Sequence, residues 1–207
     1  DTLSETHLWY RDQLFNCVGK YPETDWNKAA LEIVQTWNGH ADIDSKAYPI
    51  LKVFRMEALS RAMTPIARAI STQRADVLVS RIATDTLMAQ LLEKKPLHLL
   101  DAKYQSYCEL LGDALTESGK KLAAKPSELQ SLRWGSLNSS KIRHPFSFIL
   151  PEPIAHPLNM NTMELPGDRL IPNMNTPSNG VSMRFVVDLK DPSRSIFNQP
   201  GGQSGHP

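Results

Sequence analysis

Apolar residues recur at helical spacing through the first two-thirds of the chain and then give way to alternation and turns. A capping-box pattern, Thr2-Leu3-Ser4-Glu5, precedes Leu8, Leu14, Phe15 and Val18, and Gly19 and Pro22 close that helix. A second helix is expected from Asp25 as N-cap, with Trp26, Ala29, Ala30, Ile33 and Val34 at i, i+3, i+4, i+7 and i+8. Asp44 or Ser45 caps a third helix carrying Ile50, Leu51, Phe54, Ala58 and Leu59, which Pro65 should kink or end. Leu78, Ile82, Leu87, Leu91 and Leu92 mark a fourth helix, closed by Lys94-Lys95-Pro96. A fifth is expected over 101–122, with Tyr104, Tyr107, Cys108, Leu111 and Leu115 on its apolar side and Lys120 and Lys121 at its C-terminal end. Pro126-Ser127-Glu128 reads as a junction followed by one helical turn.

From Trp134 the character changes. Of the 15 prolines, 12 fall at or after Pro96, and most of those lie beyond Pro145, where turn signals dominate. Val181, Met183, Phe185, Val187 and Leu189 alternate with Ser182, Arg184, Val186 and Asp188, the period of a strand. Asp191-Pro192-Ser193 turns the chain, and Arg194 to Gln199 returns as its paired strand. A weaker strand is expected over 141–149, and 151–177 reads as an ordered, proline-rich surface excursion. The fold class is therefore α+β, with a helical region over 1–133 and a strand-and-loop region over 134–207. A lone hairpin is marginal in water, so the strand at 181–189 asks for a sheet that these residues do not supply.

Composition narrows the function classes. Lys plus Arg is 23 against 22 Asp plus Glu, a net charge of +1. That balance lacks the basic excess that nucleic-acid binding brings. No run approaches the roughly 18 apolar residues that span a bilayer. The chain opens Asp1-Thr2-Leu3-Ser4-Glu5, with no basic and apolar leader pattern and no Met, as in a processed chain or a fragment.

Candidate chemistry is sparse. Cys17 and Cys108 have no CxxC partner, which excludes a zinc pattern; they read first as two buried free thiols, or as a disulfide if the mature protein is exported. Asp42-Ile43-Asp44-Ser45 opens like a calcium loop but lacks the later ligands, so helix capping is the better reading. The six histidines form no HxxxH pair. Cys108 and His98, ten residues apart, would stand roughly 15 Å apart on one helix, too far for proton transfer. Ser204 in Gly201-Gly202-Gln203-Ser204-Gly205 misses the GxSxG offsets, so those glycines are read as a backbone turn. No catalytic, cofactor-binding or metal-binding residue is assigned.

Four stretches stand out together and in order. Leu31 to Gly39 with Asp42, Asp44 and Ser45 gives a helix, a Trp-Asn-Gly turn and a following helix. Leu132-Arg133-Trp134-Gly135-Ser136-Leu137-Asn138 is followed by Arg143-His144-Pro145. Met183 to Leu189 is followed by Arg194-Ser195 and Pro200-Gly201-Gly202-Gln203-Ser204-Gly205-His206-Pro207. With Asp1-Thr2-Leu3-Ser4 at the start, these resemble the penicillin amidase family, whose members hydrolyse linear amides with an N-terminal nucleophile. The third stretch is the strongest match; in the first, Asn38 stands where the family usually has Asp, and Asp1 to Ser4 resembles a segment just before the family's helical region.

The resemblance implies a C-terminal part of the large subunit of an exported, periplasmic or secreted amidase, cut from a precursor into small and large subunits. It implies an αββα sandwich for the parent, of which these residues supply outer helices and late strands. In the family a Ser at the start of the large subunit attacks, its own α-amine acting as base beside an oxyanion hole. Position 1 here is Asp1, and the family's oxyanion Asn and calcium-binding acids lie upstream of the matching region. The resemblance thus implies a chain truncated at both ends, inactive alone, without a cofactor of its own, and partnered by the rest of the large subunit and the small subunit. The parent's substrate would be a penicillin-type side-chain amide or an N-acyl homoserine lactone. Two other readings stand beside it: a non-catalytic helical scaffold or interaction module derived from the family, and an independent hydrolase using Ser204 or Cys108.

Overall fold

A computed structural model describes residues 2–71, 84–141, 143–178 and 184–198. Asp1, Leu78, Ile82, the strand residues before Arg184 and the glycine-rich stretch around Ser204 lie outside the described residues. The fold is α+β, mostly helical with a small antiparallel sheet late in the chain. Contacts divide it into two units. One comprises Leu3–His40 and Asp44–Trp134, the other Asp1–Thr2, Ala41–Ile43 and Gly135–Pro207.

The first unit is built on α1 (Glu5–Phe15), α2 (Asp25–Gln35), α3 (Ala47–Ser71), α4 (Asp85–Lys94) and α5 (Tyr107–Leu122). α3 and α5 pack on each other, α2 lies against α5, and α1 against α3. Tyr10, Leu14, Val34, Ile50, Leu51, Phe54, Leu110 and Leu115 are fully buried in this core. Their spacing puts each on the inward stripe of its helix, and burying each large side chain contributes about 1.5–3 kcal/mol.

Capping chemistry moves the helix starts away from the expected ones. The Thr2–Glu5 capping box does not form: Ser4 is the N-cap of α1, and its hydroxyl meets His7 Nδ1 instead. Thr24, not Asp25, caps α2, its Oγ1 accepting from the Asn27 N–H. At α3 the expectation of Asp44 or Ser45 is met by Ser45, whose Oγ accepts from the Tyr48 N–H. α5 begins at Tyr107 rather than 101, because Ser106 Oγ accepts from the Glu109 N–H while Glu109 Oε2 accepts from the Gln105 N–H. Asp101 meanwhile accepts from the Lys103 N–H in a turn of its own. α3 runs through Pro65.

The expectation of two free thiols is corrected. Cys17 and Cys108 form a disulfide, with Cα atoms 5.1 Å apart across a separation of 91 residues. It ties the chain just after α1 to the first turn of α5.

The second unit carries the hairpin. β1 (Arg184–Val186) pairs antiparallel with β2 (Ile196–Asn198), placing Phe185 opposite Phe197 and Val186 opposite Ile196. Asp188 Oδ1 accepts from the Lys190 and Asp191 N–H groups, and Asp191 Oδ1 from the Ser193 N–H, so two carboxylates shape the turn. The strand expected over 141–149 is also corrected. Pro145 brings no N–H, His144 Nδ1 accepts from the Phe146 N–H, and Pro145–Phe148 winds as a 3-10 turn.

Candidate functional site

The residues similar to the Trp-Asp-Gly segment form a tight backbone junction. Trp37 Nε1 donates to the His40 carbonyl at 2.9 Å, and Asn38 Oδ1 accepts from the His40 N–H at 3.0 Å. Gly39 has φ +89° and its carbonyl accepts from the Ser4 N–H. A Cβ there would lie 3.0 Å from Leu8 Cδ1, a close approach to a side-chain tip, and the positive φ is the stronger reason for glycine. Trp134 packs edge-on against Tyr48 at 4.9 Å, with the Lys52 ammonium 4.5 Å from its ring.

In the second unit, Gly135 and Asn138 hold the proline-rich excursion. A Cβ on Gly135 would come within 2.6 Å of Ile43. Asn138 is 1% exposed, and its Nδ2 donates to the carbonyls of Leu165, Gly167 and Asn175 at 3.0, 3.2 and 3.2 Å. The two Nδ2 protons therefore serve three backbone acceptors across residues 165–175, one proton being shared between two carbonyls. Asn138 closes the Leu132–Asn138 stretch that resembles the family, where residue type alone points to no role for it. Nothing in local spacing announces partners so distant along the chain.

Two side-chain clusters in the first unit imitate catalytic sets. Ser4 Oγ lies 2.6 Å from His7 Nδ1, a hydroxyl–imidazole pair, yet each residue is 1% exposed. No substrate carbonyl reaches a hydroxyl closed off in this way. Nearby, Tyr10 donates to Asp85 at 3.0 Å, and Arg55 grips Asp85 bidentately at 2.8 and 2.7 Å. Burial pushes the Tyr10 phenol up, and the Asp85 charge pushes it further. For Asp85, burial pulls upward, but the Arg55 hydrogen bond and charge, with Tyr10, outweigh it and hold the carboxyl below its usual range. These are permanently paired groups, which suits anchoring α4 better than moving protons.

The other cluster centres on Arg61. Its guanidinium pairs with Glu57 and, at 3.0 Å, with Asp113; Lys121 also meets Glu57, and Tyr104 donates to Asp113. Burial raises the Glu57 and Asp113 carboxyls, yet their partners more than reverse it and hold both low. Depressed carboxyls stabilise the fold above their unfolded pKa of about 4, and that contribution is lost as pH falls through the folded values. Arg61→Met removes the partner and leaves the burial effect. The acid-unfolding midpoint, followed by circular dichroism, is expected to rise by about 1 pH unit. An unmoved midpoint would show that Lys121, Lys103 and Tyr104 suffice.

The remaining candidates disperse. Cys108 is bonded to Cys17, so it offers no thiolate, and His98 lies in a separate 3-10 turn, Leu97–Leu99. Asp42 Oδ1 accepts from the Thr2 hydroxyl at 2.7 Å, while Asp44 pairs with Arg133 at 2.7 Å. Among the described residues no three His, Cys, Asp or Glu side chains group as a metal site.

Comparison with known families decides the lineage. The penicillin amidase family's sequence model matches residues 1–207, the whole length. The chain belongs to the penicillin amidase family. A search of curated proteins found no match. In this amidase chain the similar segments are thus structural joints: Gly39 and Trp134 in one unit, Gly135 and Asn138 in the other. Among the described residues no helix is long and apolar enough to cross a membrane.

Proposed function

We propose that this chain supplies the outer helical frame and a late hairpin of an αββα amidase, whose linear-amide chemistry is performed by a nucleophile elsewhere in the parent. The hairpin carries the proposal. Phe185, Val186, Val187, Ile196 and Phe197 are each more than half exposed, and Leu189 is 92% exposed. Successive residues of a strand point to opposite faces, so both faces of this two-stranded sheet are apolar and open. Soluble proteins bury such surfaces, and further family strands and helices are the natural cover.

Two further observations support this reading. The hydroxyl–imidazole pair is closed and Cys108 is spent in a disulfide, leaving neither for attack on an amide. The disulfide also suits an oxidising compartment, in keeping with a periplasmic or secreted amidase. The partners are the rest of the large subunit and the small subunit, and the substrate is an acyl amide, of the penicillin side-chain or N-acyl homoserine lactone kind.

The test uses the 207-residue chain with a chromogenic phenylacetyl amide, intact-mass analysis, and hydrogen exchange at Val186 and Ile196. No turnover, no acyl adduct and rapid exchange of the hairpin amides are expected. Turnover scaling with chain concentration, or a covalent acyl adduct, would overturn the inactive-frame reading. Strong hairpin protection in the isolated chain would remove the need for missing strands.

A further inference from the structure

The sequence holds two Asn-Gly pairs, Asn38-Gly39 and Asn179-Gly180, and the second lies outside the described residues. Asparagine before glycine is the arrangement best suited to attack on itself, because no Cβ shields the glycine nitrogen. Asn38 is exposed in the turn after α2, and Gly39 next to it is buried. The Asn38 side chain folds back along the chain, its Oδ1 accepting from the His40 N–H at 3.0 Å. That bond carries the side chain across the Gly39 peptide unit, whose own N–H meets no acceptor among the described residues. Electrophile and nucleophile, Asn38 Cγ and the Gly39 backbone nitrogen, thus belong to one short turn.

The His40 N–H also has a chemical effect. Attack on Cγ moves charge onto Oδ1, and an N–H already donating to that oxygen stabilises the charge as it develops. Holding the side chain in place removes part of the entropy cost that a free peptide meets. Two other asparagines show the opposite arrangement. Asn27 and Asn138 are each 1% exposed; Asn27 Oδ1 accepts from the Thr116 hydroxyl, and Asn138 Nδ2 is committed to backbone carbonyls. Their successors, Lys28 and Ser139, both carry a Cβ.

We propose that Asn38 is a self-modification site, deamidating through a succinimide in the folded chain. The Gly39 nitrogen gives up its proton and bonds to Asn38 Cγ, the Cγ–Nδ2 bond breaks, and ammonia leaves with the proton. Water then opens the ring at one of its two carbonyls. Opening at Cγ leaves aspartate in an ordinary backbone; opening at the main-chain carbonyl gives isoaspartate, with the backbone routed through Cβ and Cγ. The fold disfavours the longer backbone, because Trp37 Nε1 is held on the His40 carbonyl and the Gly39 carbonyl on the Ser4 N–H. Aspartate keeps an oxygen for the His40 N–H, so the joint persists while the formal net charge of +1 falls to zero. The site does not rest on the chain's role in amide hydrolysis.

The test is site-resolved mass spectrometry of the oxidised 207-residue chain after incubation in mildly alkaline buffer, beside a synthetic peptide of residues 35–42. Conversion at position 38 is expected at least as fast as in the peptide, with aspartate exceeding isoaspartate. His40→Pro removes the N–H donor and should slow conversion by roughly threefold or more, beyond any change the same substitution makes in the peptide. If that variant fails to fold, the comparison of chain with peptide carries the test alone. An Asn38 amide that persists in the folded chain while the peptide converts would overturn the proposal, as would an unchanged rate in folded His40→Pro. Isoaspartate as the main product would overturn the steering of the ring opening.

Discussion

Replacing Cys17 and Cys108 together by alanine is expected to cost about 4–5 kcal/mol of unfolding free energy. The disulfide closes a separation of 91 residues, and the loop-closure entropy removed from the unfolded chain gives that magnitude. In a chain of this length it corresponds to a fall in Tm of roughly 10–18 °C. Alanine is the apt replacement, since Cys17 is buried and a serine there would add an unpaired hydroxyl. Thermal melts of the oxidised protein and the double variant measure the difference, and a reductant should bring the parent to the variant's value. A loss below about 1 kcal/mol would mean that α1 and α5 are held by their packing alone.

The second large effect belongs to Asn138. Asn138→Ala removes the donor that serves the Leu165, Gly167 and Asn175 carbonyls. Leaving buried acceptors unmet costs about 2–4 kcal/mol in sum, and the loss falls on one segment rather than on the whole chain. Residues 159–176 should then become a preferred site of limited proteolysis, and the Leu165 amide, which donates to the Asn138 carbonyl at 2.9 Å, should exchange faster. Asn138→Asp keeps the shape but turns the donor into a buried acceptor, so it should be at least as damaging. Equal cleavage rates in all three proteins would assign the order of this segment to other contacts, such as the Gly167 N–H on the Ala41 carbonyl.

Which parts of this were legible in the sequence follows from the range of the forces involved. Periodicity located α2, α3 and α5 because an apolar stripe is a local property, and Ala30, Ile33, Val34, Leu111 and Leu115 are buried as their spacing predicts. Helix starts were missed where two capping residues stood side by side. Thr24 and Asp25 are both competent, and only the geometry of the Asn27 N–H chooses between them. The turn at Asp191-Pro192-Ser193 was readable from residue type, since Asx chemistry acts over two residues. The strand expected over 141–149 failed because apolar Phe146, Phe148 and Ile149 sit behind Pro145, and the His144 ring caps a turn that composition does not reveal.

Long-range chemistry was the illegible part. Two cysteines 91 residues apart do not announce a bond, and neither Asn138 nor the Asn27–Thr116 pair carries any mark in its neighbourhood. The glycines are intermediate. Gly39 was visible within Trp37-Asn38-Gly39, but its positive φ, with the Leu3 and Leu8 tips close to where a Cβ would stand, is a property of the folded chain.

The Cys17–Cys108 bond has a topological consequence as well as an energetic one. It makes residues 17–108 a covalent ring, so a single peptide-bond scission anywhere inside it yields a nicked molecule and not two. Such a nick shows as separate bands on an electrophoresis gel only when a thiol is present in the sample. Hydrolysis beyond position 108 shows its pieces on a denaturing gel with no thiol added.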